Sequence, residues 1–419
     1  MQVILLAAGE ASRMRPLSNG MHKSMIKLVG KPLLEHTLEK LKAKEITEII
    51  IVVGKNNNIE SYFGNGEKFG VSIKYVVQEK PEGAGNALLL SRALLTGDFL
   101  LMNSYHVEID KFIERLIEAK TPDNDGVLLV KQKEDTWNYG VVDTDGQKVM
   151  GIIEKPAKDS NVSKLCIVGI YLLSKDFLRT LEETPPEHYQ LEKALDSFVK
   201  DNNVCFVETK EETVVLKYPW DLLSIKNYLL AGLKKQIAGS AQVASSAQLI
   251  GEVYVEDGAQ IMENAVIKGP CYVGKNAFVG TNAILRDGVD LEEGAVAGAN
   301  MEIKNTLLSE GSKTHSGFIG DSLVGRNCRI GAGFNSANVR IDRETVKSVI
   351  KGEKTDTGLK SFGVVIGDNA RIGIKSSTMP GVIIGENVTV GSGTMVMNNI
   401  EDGVKYYTKF QAVITKNEK

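Results

Sequence analysis

Over the first half of the chain, short aliphatic runs alternate with amphipathic stretches. Val3 to Leu6, Ile46 to Val53, Ser72 to Val77, Phe99 to Met102 and Gly126 to Val130 read as strands, the second a buried one bounded by Gly54. Between them, Pro32 to Lys44, with proline at its start, Asn86 to Leu95 and Ile109 to Lys120 read as helices. Further strands are expected at Lys164 to Leu173, Val204 to Val207 and Thr213 to Leu216, and helices at Asp176 to Glu183 and Pro219 to Lys235. Strand and helix in this rhythm predict a doubly wound, Rossmann-like α/β sheet.

Near Gln236 to Ser246 the period changes. Val243, Leu249, Val255, Ile261, Ile267, Val273, Val279, Leu285 and Leu291 recur every six residues. The spacing resumes at Ile366, Ile372, Ile384, Val390 and Val396, with only Thr378 departing. Six is neither a helical nor a simple strand period. It suits a chain that turns a corner every six residues and places one aliphatic side chain inside on each side of a triangular prism, a parallel β-helix. Residues 336 to 364 break the register and are expected to leave the prism as a loop. The domain division read from this change is 1–235 and 236–419.

The chain has 419 residues, enough for two cores, and a net charge of −3. That charge gives no bulk electrostatic case for nucleic acid or an acidic membrane surface. Four scattered cysteines (Cys166, Cys205, Cys271 and Cys328) form no CxxC pair and indicate buried thiols rather than a zinc or disulfide framework. No apolar stretch is long enough to span a bilayer, and Gln2 to Leu6 enters a strand with no basic start or cleavage site. These features together predict a cytoplasmic protein.

The first strand ends in Leu6-Ala7-Ala8-Gly9-Glu10-Ala11-Ser12-Arg13-Met14-Arg15-Pro16-Leu17, with Lys23 following. A glycine turn after the first strand of such a sheet is where backbone N–H groups meet phosphate, and Arg13 and Lys23 add cationic charge. This run resembles the opening signature of the sugar-1-phosphate nucleotidylyltransferases, which also extends to Met25, Lys31, Pro32, Glu35 and His36. Ala11 and His22 depart from it. Gln78-Glu79 and Gly83 to Leu88 are similar to the family's base-reading segment, and Asn138 to Val141 and Glu154-Lys155-Pro156 to its sugar-holding segments. With the hexapeptide tail, the whole chain resembles the archaeal-type bifunctional nucleotidylyltransferase and amino-sugar-1-phosphate acetyltransferase, whose tail is a left-handed parallel β-helix.

The resemblance implies nucleotide contacts from Leu6, Ala8, Gly9, Arg13, Lys23, Gln78 and Gly83, and sugar contacts from Gly140, Glu154 and Lys155. It implies a nucleoside triphosphate or nucleotide sugar and a sugar-1-phosphate as ligands. Nucleotidyl transfer also requires Mg²⁺, held by carboxylates and phosphate oxygens. Tyr105 occupies the family's first carboxylate position and Val215 the second. Mg²⁺ binding is therefore doubtful, and nucleotidyl transfer is expected to be lost or very slow unless Glu108, Asp110 or Asp221 supplies an oxygen.

In the repeats, Gly311 to Asp321 resembles the acetyltransferase run that carries a catalytic histidine, here His315. Histidine suits this role because its ordinary pKa lies near working pH. Asn338 matches a residue that binds the sugar or the amine, and Lys347 a cation that meets the sugar phosphate. Arg340, Arg343, Lys351, Lys354 and Lys360 make the out-of-register loop basic, although Asp342, Glu344, Glu353 and Asp356 offset much of that charge. Phe318 replaces the family's tyrosine, and Glu344 stands where lysine is common. The resemblance implies acetyl-coenzyme A as acyl donor and a homotrimer. It leaves open an enzyme of UDP-N-acetylglucosamine type, a regulatory or sensing subunit paired with an active paralogue, or a structural β-helix.

Overall fold

The computed structural model describes residues 1–55, 58–158, 160 and 162–415, and their contacts group into two compact units. The first comprises Met1–Ala11, Gly20–Ile26 and Lys31–Val215; the second comprises Ser12–Asn19, Lys27–Gly30 and Leu216–Lys419.

The first unit is built on β1 (Gln2–Ala7), β2 (Glu48–Gly54), β3 (Ser72–Gln78), β4 (Phe99–Asn103), β5 (Gly126–Gln132), β6 (Gly140–Asp145), β7 (Lys148–Glu154), β8 (Leu165–Leu173) and β9 (Val204–Glu208). They form one sheet in the order β3-β2-β1-β4-β8-β5-β9-β7-β6. The 3-2-1-4 half is all parallel, as a doubly wound fold requires. β8 runs antiparallel to β4 and β5, and β6 and β7 form a hairpin outside the expected strands. Helices α1 (Leu33–Lys42), α2 (Ile59–Phe63), α3 (Ala84–Ser91), α4 (Ile113–Ala119), α5 (Phe177–Glu183) and α6 (Gln190–Asp201) are joined to the strands. Alternate residues of β1 point to opposite faces. Val3 and Leu5 enter one buried cluster with Leu34, Leu38 and Phe112, and Ile4 enters the other with Leu88, Leu191 and Phe198.

Thr213 to Leu216 is not a strand. Its backbone is tethered by a side chain instead: Glu108, fully buried, accepts the Val214 N–H at 2.8 Å through Oε1. A carboxylate takes the place of a ladder partner, so apolar spacing misreads this segment. The helix expected over Pro219 to Lys235 is shorter, α7 (Asp221–Ala231), and it packs within the second unit.

In the second unit the chain climbs in coils whose three sides stack as parallel sheets of 8, 9 and 8 strands among the described residues. Val255 stacks on Val273 and Ile267 on Leu285, each pair 18 residues apart. The inward row Val255, Ile261, Ile267, Val273, Val279, Leu285 and Leu291 is buried, at roughly 1.5–3 kcal/mol per side chain. Val243, in the first coil, is 36% exposed because no coil lies beneath it.

The sixfold spacing fails after Leu291 because the coils shorten. Leu308 stacks on Val324 and Thr314 on Ile330, only 16 residues on. Thr378 still faces inward and is buried, stacked between Ser336 and Val396. Corners use residues that tolerate a left-handed backbone, such as Asn276 (φ 55°) and Asn327 (φ 57°). After Ser336 the chain leaves the prism, forms a hairpin of Lys347–Ile350 with Glu353–Asp356, and rejoins at Val364–Ile366.

One polar cluster is buried within the second unit. Lys226 of α7 is fully buried and its Nζ donates to the Gly288 carbonyl, to Asn227 Oδ1 at 2.6 Å and to Asn305 Oδ1 at 3.1 Å. Asp290 accepts the Val29 N–H at 2.8 Å, and Glu292 the Gly30 N–H at 2.9 Å. Burial raises the Asp290 carboxyl to about 7, against the opposing pull of the Val29 N–H and Lys226. Burial, then the nearby Asp290, moves Glu292 in the same direction.

An acid with a higher pKa folded than unfolded binds more protons in the native state between the two values. The contribution of Asp290 to stability is therefore fully present below about pH 4 and is lost as pH rises through about 7. Thermal melts from pH 4 to 8 should show Asp290→Asn gaining stability relative to the native sequence as pH rises. A difference that stays constant with pH contradicts this assignment.

Candidate functional site

In the first unit, β1 and β4 lie side by side with Leu6 opposite Asn103, and the Ser104 N–H donates to the Leu6 carbonyl at 3.3 Å. This register brings the Leu6–Gly9 turn and Tyr105 to the same sheet end. Ala8 is half-buried and Gly9 exposed; a Cβ at Gly9 would meet nothing within 4 Å, so a ligand can approach the backbone closely. Lys23 lies in a short helical turn, with Nζ 4.6 Å from the centre of the Tyr105 ring. Tyr105 is 9% exposed and stacks on His106 with ring centres 5.1 Å apart.

Arg13 belongs by its contacts to the second unit. With Arg15, Pro16, Lys351, Ile383 and Ile400 it lines a cleft of about 260 Å³ there.

Gln78 is buried, and its amide donates to the Gly83 carbonyl at 3.0 Å and to Asn86 Oδ1 at 2.8 Å. It therefore closes the loop that leads into α3. Gly83, at φ 95°, starts that helix, and a Cβ there would lie 2.9 Å from the His188 carbonyl oxygen.

The β6–β7 hairpin brings the sugar-segment residues together, with Gly140 opposite Glu154. A Cβ at Gly140 would lie 2.9 Å from Glu154 Oε2, so only glycine leaves that carboxylate in place. Lys155 reaches Glu154 at 3.4 Å and the Tyr189 hydroxyl at 2.9 Å. Its partial burial works against the charge, but the Tyr189 bond and Glu154 hold the ammonium above its usual range. Burial raises the nearby Glu192 carboxyl. Tyr189 carries no motif of its own and lies more than thirty residues from the Glu154-Lys155 pair.

Tyr105 and Val215, the residues expected from the sequence at the metal positions, are neutral. Val215 is 39% exposed, in irregular chain. The acids nearby in sequence have other partners. Glu108 holds Val214 and meets His106 Nδ1 at 3.1 Å. Asp110 pairs with Lys40 at 3.0 Å. Within the second unit, Asp221, the first residue of α7, accepts the Lys217 and Tyr218 N–H groups of the preceding turn at 2.6 and 2.7 Å. Among the described residues no three or more His, Cys, Asp or Glu side chains form a group able to hold a metal ion.

In the second unit, His315 is exposed at a corner of the prism, its N–H donating to the Ile330 carbonyl at 3.0 Å. Lys347 is exposed at the start of the inserted hairpin, opposite Asp356. Asn338 is half-buried and donates through Nδ2 to Asp321 Oδ2 at 2.5 Å. A Cβ at Gly320 would lie 2.5 Å from Phe318 Cζ and 2.9 Å from Asn338 Nδ2. The fold thus gathers Phe318, Gly320, Asp321 and Asn338 at one point. Their sequence motif points there, whereas Lys304 and Asn305, which both donate to the Asp321 carboxylate, carry no sequence signal.

Among the described residues no helix is long and apolar enough to cross a membrane. Against known proteins, residues 2–222 match the nucleotidyl transferase model. Residues 363–398 match the bacterial transferase hexapeptide model and 270–303 the hexapeptide repeat of succinyl-transferase. The "Bifunctional protein GlmU" of Methanococcus vannielii is 33% identical over 99% of this chain and 100% of its own length. Its namesake from Methanocaldococcus jannaschii is 31% identical over 99% and 100%. A "Bifunctional sugar-1-phosphate nucleotidylyltransferase/acetyltransferase" from Sulfurisphaera tokodaii is 30% identical over 91% and 93%.

Proposed function

Since this chain belongs to the nucleotidyl transferase family and continues into a hexapeptide-repeat transferase region, we propose that it acetylates an amino-sugar-1-phosphate while its α/β part binds nucleotide with little or no nucleotidyl transfer. The acyl donor in this reading is acetyl-coenzyme A, and the nucleotide-sugar pathway is of UDP-N-acetylglucosamine type. The functional division follows residues 1–235 and 236–419, and the assembly is a homotrimer.

The observation that carries the first half of the reading is the electrostatics at Tyr105. Joining a sugar-1-phosphate to a nucleoside triphosphate requires two polyanions to approach, so the barrier is charge repulsion. A neutral ring under the Lys23 ammonium offers no anionic oxygen to a divalent cation, and Val215 offers none either. The residues at these positions do not fit Mg²⁺. Lys23 and the open backbone at Gly9 still suit phosphate.

Acetyl transfer needs no metal. The amine attacks the thioester carbonyl, a C–N bond forms as the C–S bond breaks, and the coenzyme leaves as a thiolate that takes up a proton. His315 accepts the proton shed by the amine. Asn338 turns Nδ2 toward the Asp321 carboxylate, because its own carbonyl there would be repelled. Its Oδ1 is thereby presented to an amine N–H, and Lys347 meets the sugar phosphate.

Retention of Lys23 and Gly9 beside Tyr105 also favours a second reading, a sugar-nucleotide-sensing subunit paired with an active nucleotidylyltransferase. Co-purification with such a paralogue, together with absence of acetyl transfer, selects it.

His315→Ala should lower acetyl-coenzyme A-dependent acetylation of an amino-sugar-1-phosphate about 100-fold or more, measured as thiol release. Equal rates for variant and native protein contradict the assignment. With Mg²⁺, nucleoside triphosphates and sugar-1-phosphates, pyrophosphate release should stay below about 0.01 s⁻¹, whereas ordinary enzymes turn over at about 1 s⁻¹ or faster. Turnover in that ordinary range overturns the reading for the α/β part.

A further inference from the structure

We propose that Asp321 is a positioning residue for acetyl transfer, acting through Asn338, and that a hydrogen-bonded chain from Lys226 through Asn305 holds Asp321 in place. This rests on the reading that Asn338 belongs to the acetyl-transfer site.

Asp321 is only 3% exposed and sits at a corner with φ 49°, a left-handed conformation that aspartate tolerates better than most residues. Both of its oxygens are met by donors. Oδ1 accepts from Asn305 Nδ2 at 2.8 Å, and Oδ2 from Asn338 Nδ2 at 2.5 Å. Lys304 Nζ bridges the two oxygens at 3.2 and 2.9 Å. A carboxylate cannot donate to Asn338, so the Asn338 amide has one orientation, with its carbonyl turned away.

The amide also lies against the Gly320 backbone. Gly320 leaves no room for a Cβ beside Phe318 and Asn338, and its N–H is fixed by Ser336 Oγ at 2.9 Å. A flip of the Asn338 amide must therefore break its bond to Asp321.

Asp321 is anchored on its far side as well. Asn305 gives its amide N–H to Asp321 and accepts through Oδ1 from Lys226 Nζ and Asn227 Nδ2, both at 3.1 Å. Lys226 is fully buried in α7 and bound to the Gly288 carbonyl. The sequence Lys226–Asn305–Asp321–Asn338 is thus continuous, and its first member is buried with three acceptors at its Nζ. An amide held this way needs no reordering when the amine arrives, which lowers the barrier rather than tightening ground-state binding.

The test uses the full chain, acetyl-coenzyme A and an amino-sugar-1-phosphate, and compares Asp321→Asn, Asn338→Ala and the double variant. Asp321→Asn should lower kcat about 10-fold or more while KM for both substrates changes less than about twofold. The double variant should be no slower than Asn338→Ala alone, within about twofold, because Asp321 acts only through that residue. Losses that multiply in the double variant overturn the proposal, as does an Asp321→Asn protein with native kcat. If Asn338→Ala itself leaves the rate unchanged, the acetyl-site reading fails and this proposal falls with it. If Asp321→Asn does not fold by circular dichroism, the cycle is run with Asn305→Ala. There a kcat loss of about threefold or more, absent in the Asn338→Ala background, supports the proposal, and multiplicative losses or an unchanged kcat refute it.

Discussion

The β-helical unit depends on one constraint, the stacking of inward side chains from coil to coil. Each strand is only two to four residues long, and backbone pairing at about 4.8 Å spacing cannot hold so short a strand alone. The row from Val255 through Leu291 to Val396 supplies the continuous apolar contact that keeps the register. Because a one-residue slip would turn that row outward, the register also places every corner residue. His315 and Asp321 owe their positions to this row, as does the point after Ser336 where the chain leaves the prism.

Much of this was legible. The sixfold repeat identified the prism, and the broken register located the insertion with its hairpin. The first strands of the α/β sheet were read within a residue or two, because continuous runs such as Ile49 to Val53 admit few alternatives. Where coils shorten to 16 residues the period vanished from the sequence, although the inward row continues through Leu308, Val324 and Ile330. Thr213 to Leu216 has the apolar spacing of a strand, yet it is tied to Glu108, a partner about a hundred residues away.

The candidate sites divide in the same way. Motifs point to Gly9, Lys23, Gln78, Gly140, Glu154, Lys155, His315 and Asn338 as candidates, because local runs carry them. Long-range partners were invisible. Nothing in the hexapeptide pattern marks Asp290 or Glu292 as buried acids, or Asn305 as a link between Lys226 and Asp321. These contacts join residues 16 to 262 positions apart, and without paired substitutions one sequence cannot report them.

The two halves of the protein then differ in the charge chemistry they retain. In the proposed reading the β-helix keeps His315 as base, Asn338 as an oriented amide and Lys347 as a cation. In the same reading the α/β unit keeps the open backbone at Gly9 and Lys23 for phosphate but presents Tyr105 and Val215 where a divalent cation needs anionic oxygen. That contrast is tested most directly by calorimetric titration of nucleoside triphosphates into the protein with and without Mg²⁺. The account predicts binding whose dissociation constant changes less than about twofold when Mg²⁺ is added. Tightening by more than about tenfold on adding Mg²⁺, or no binding in either condition, would contradict it.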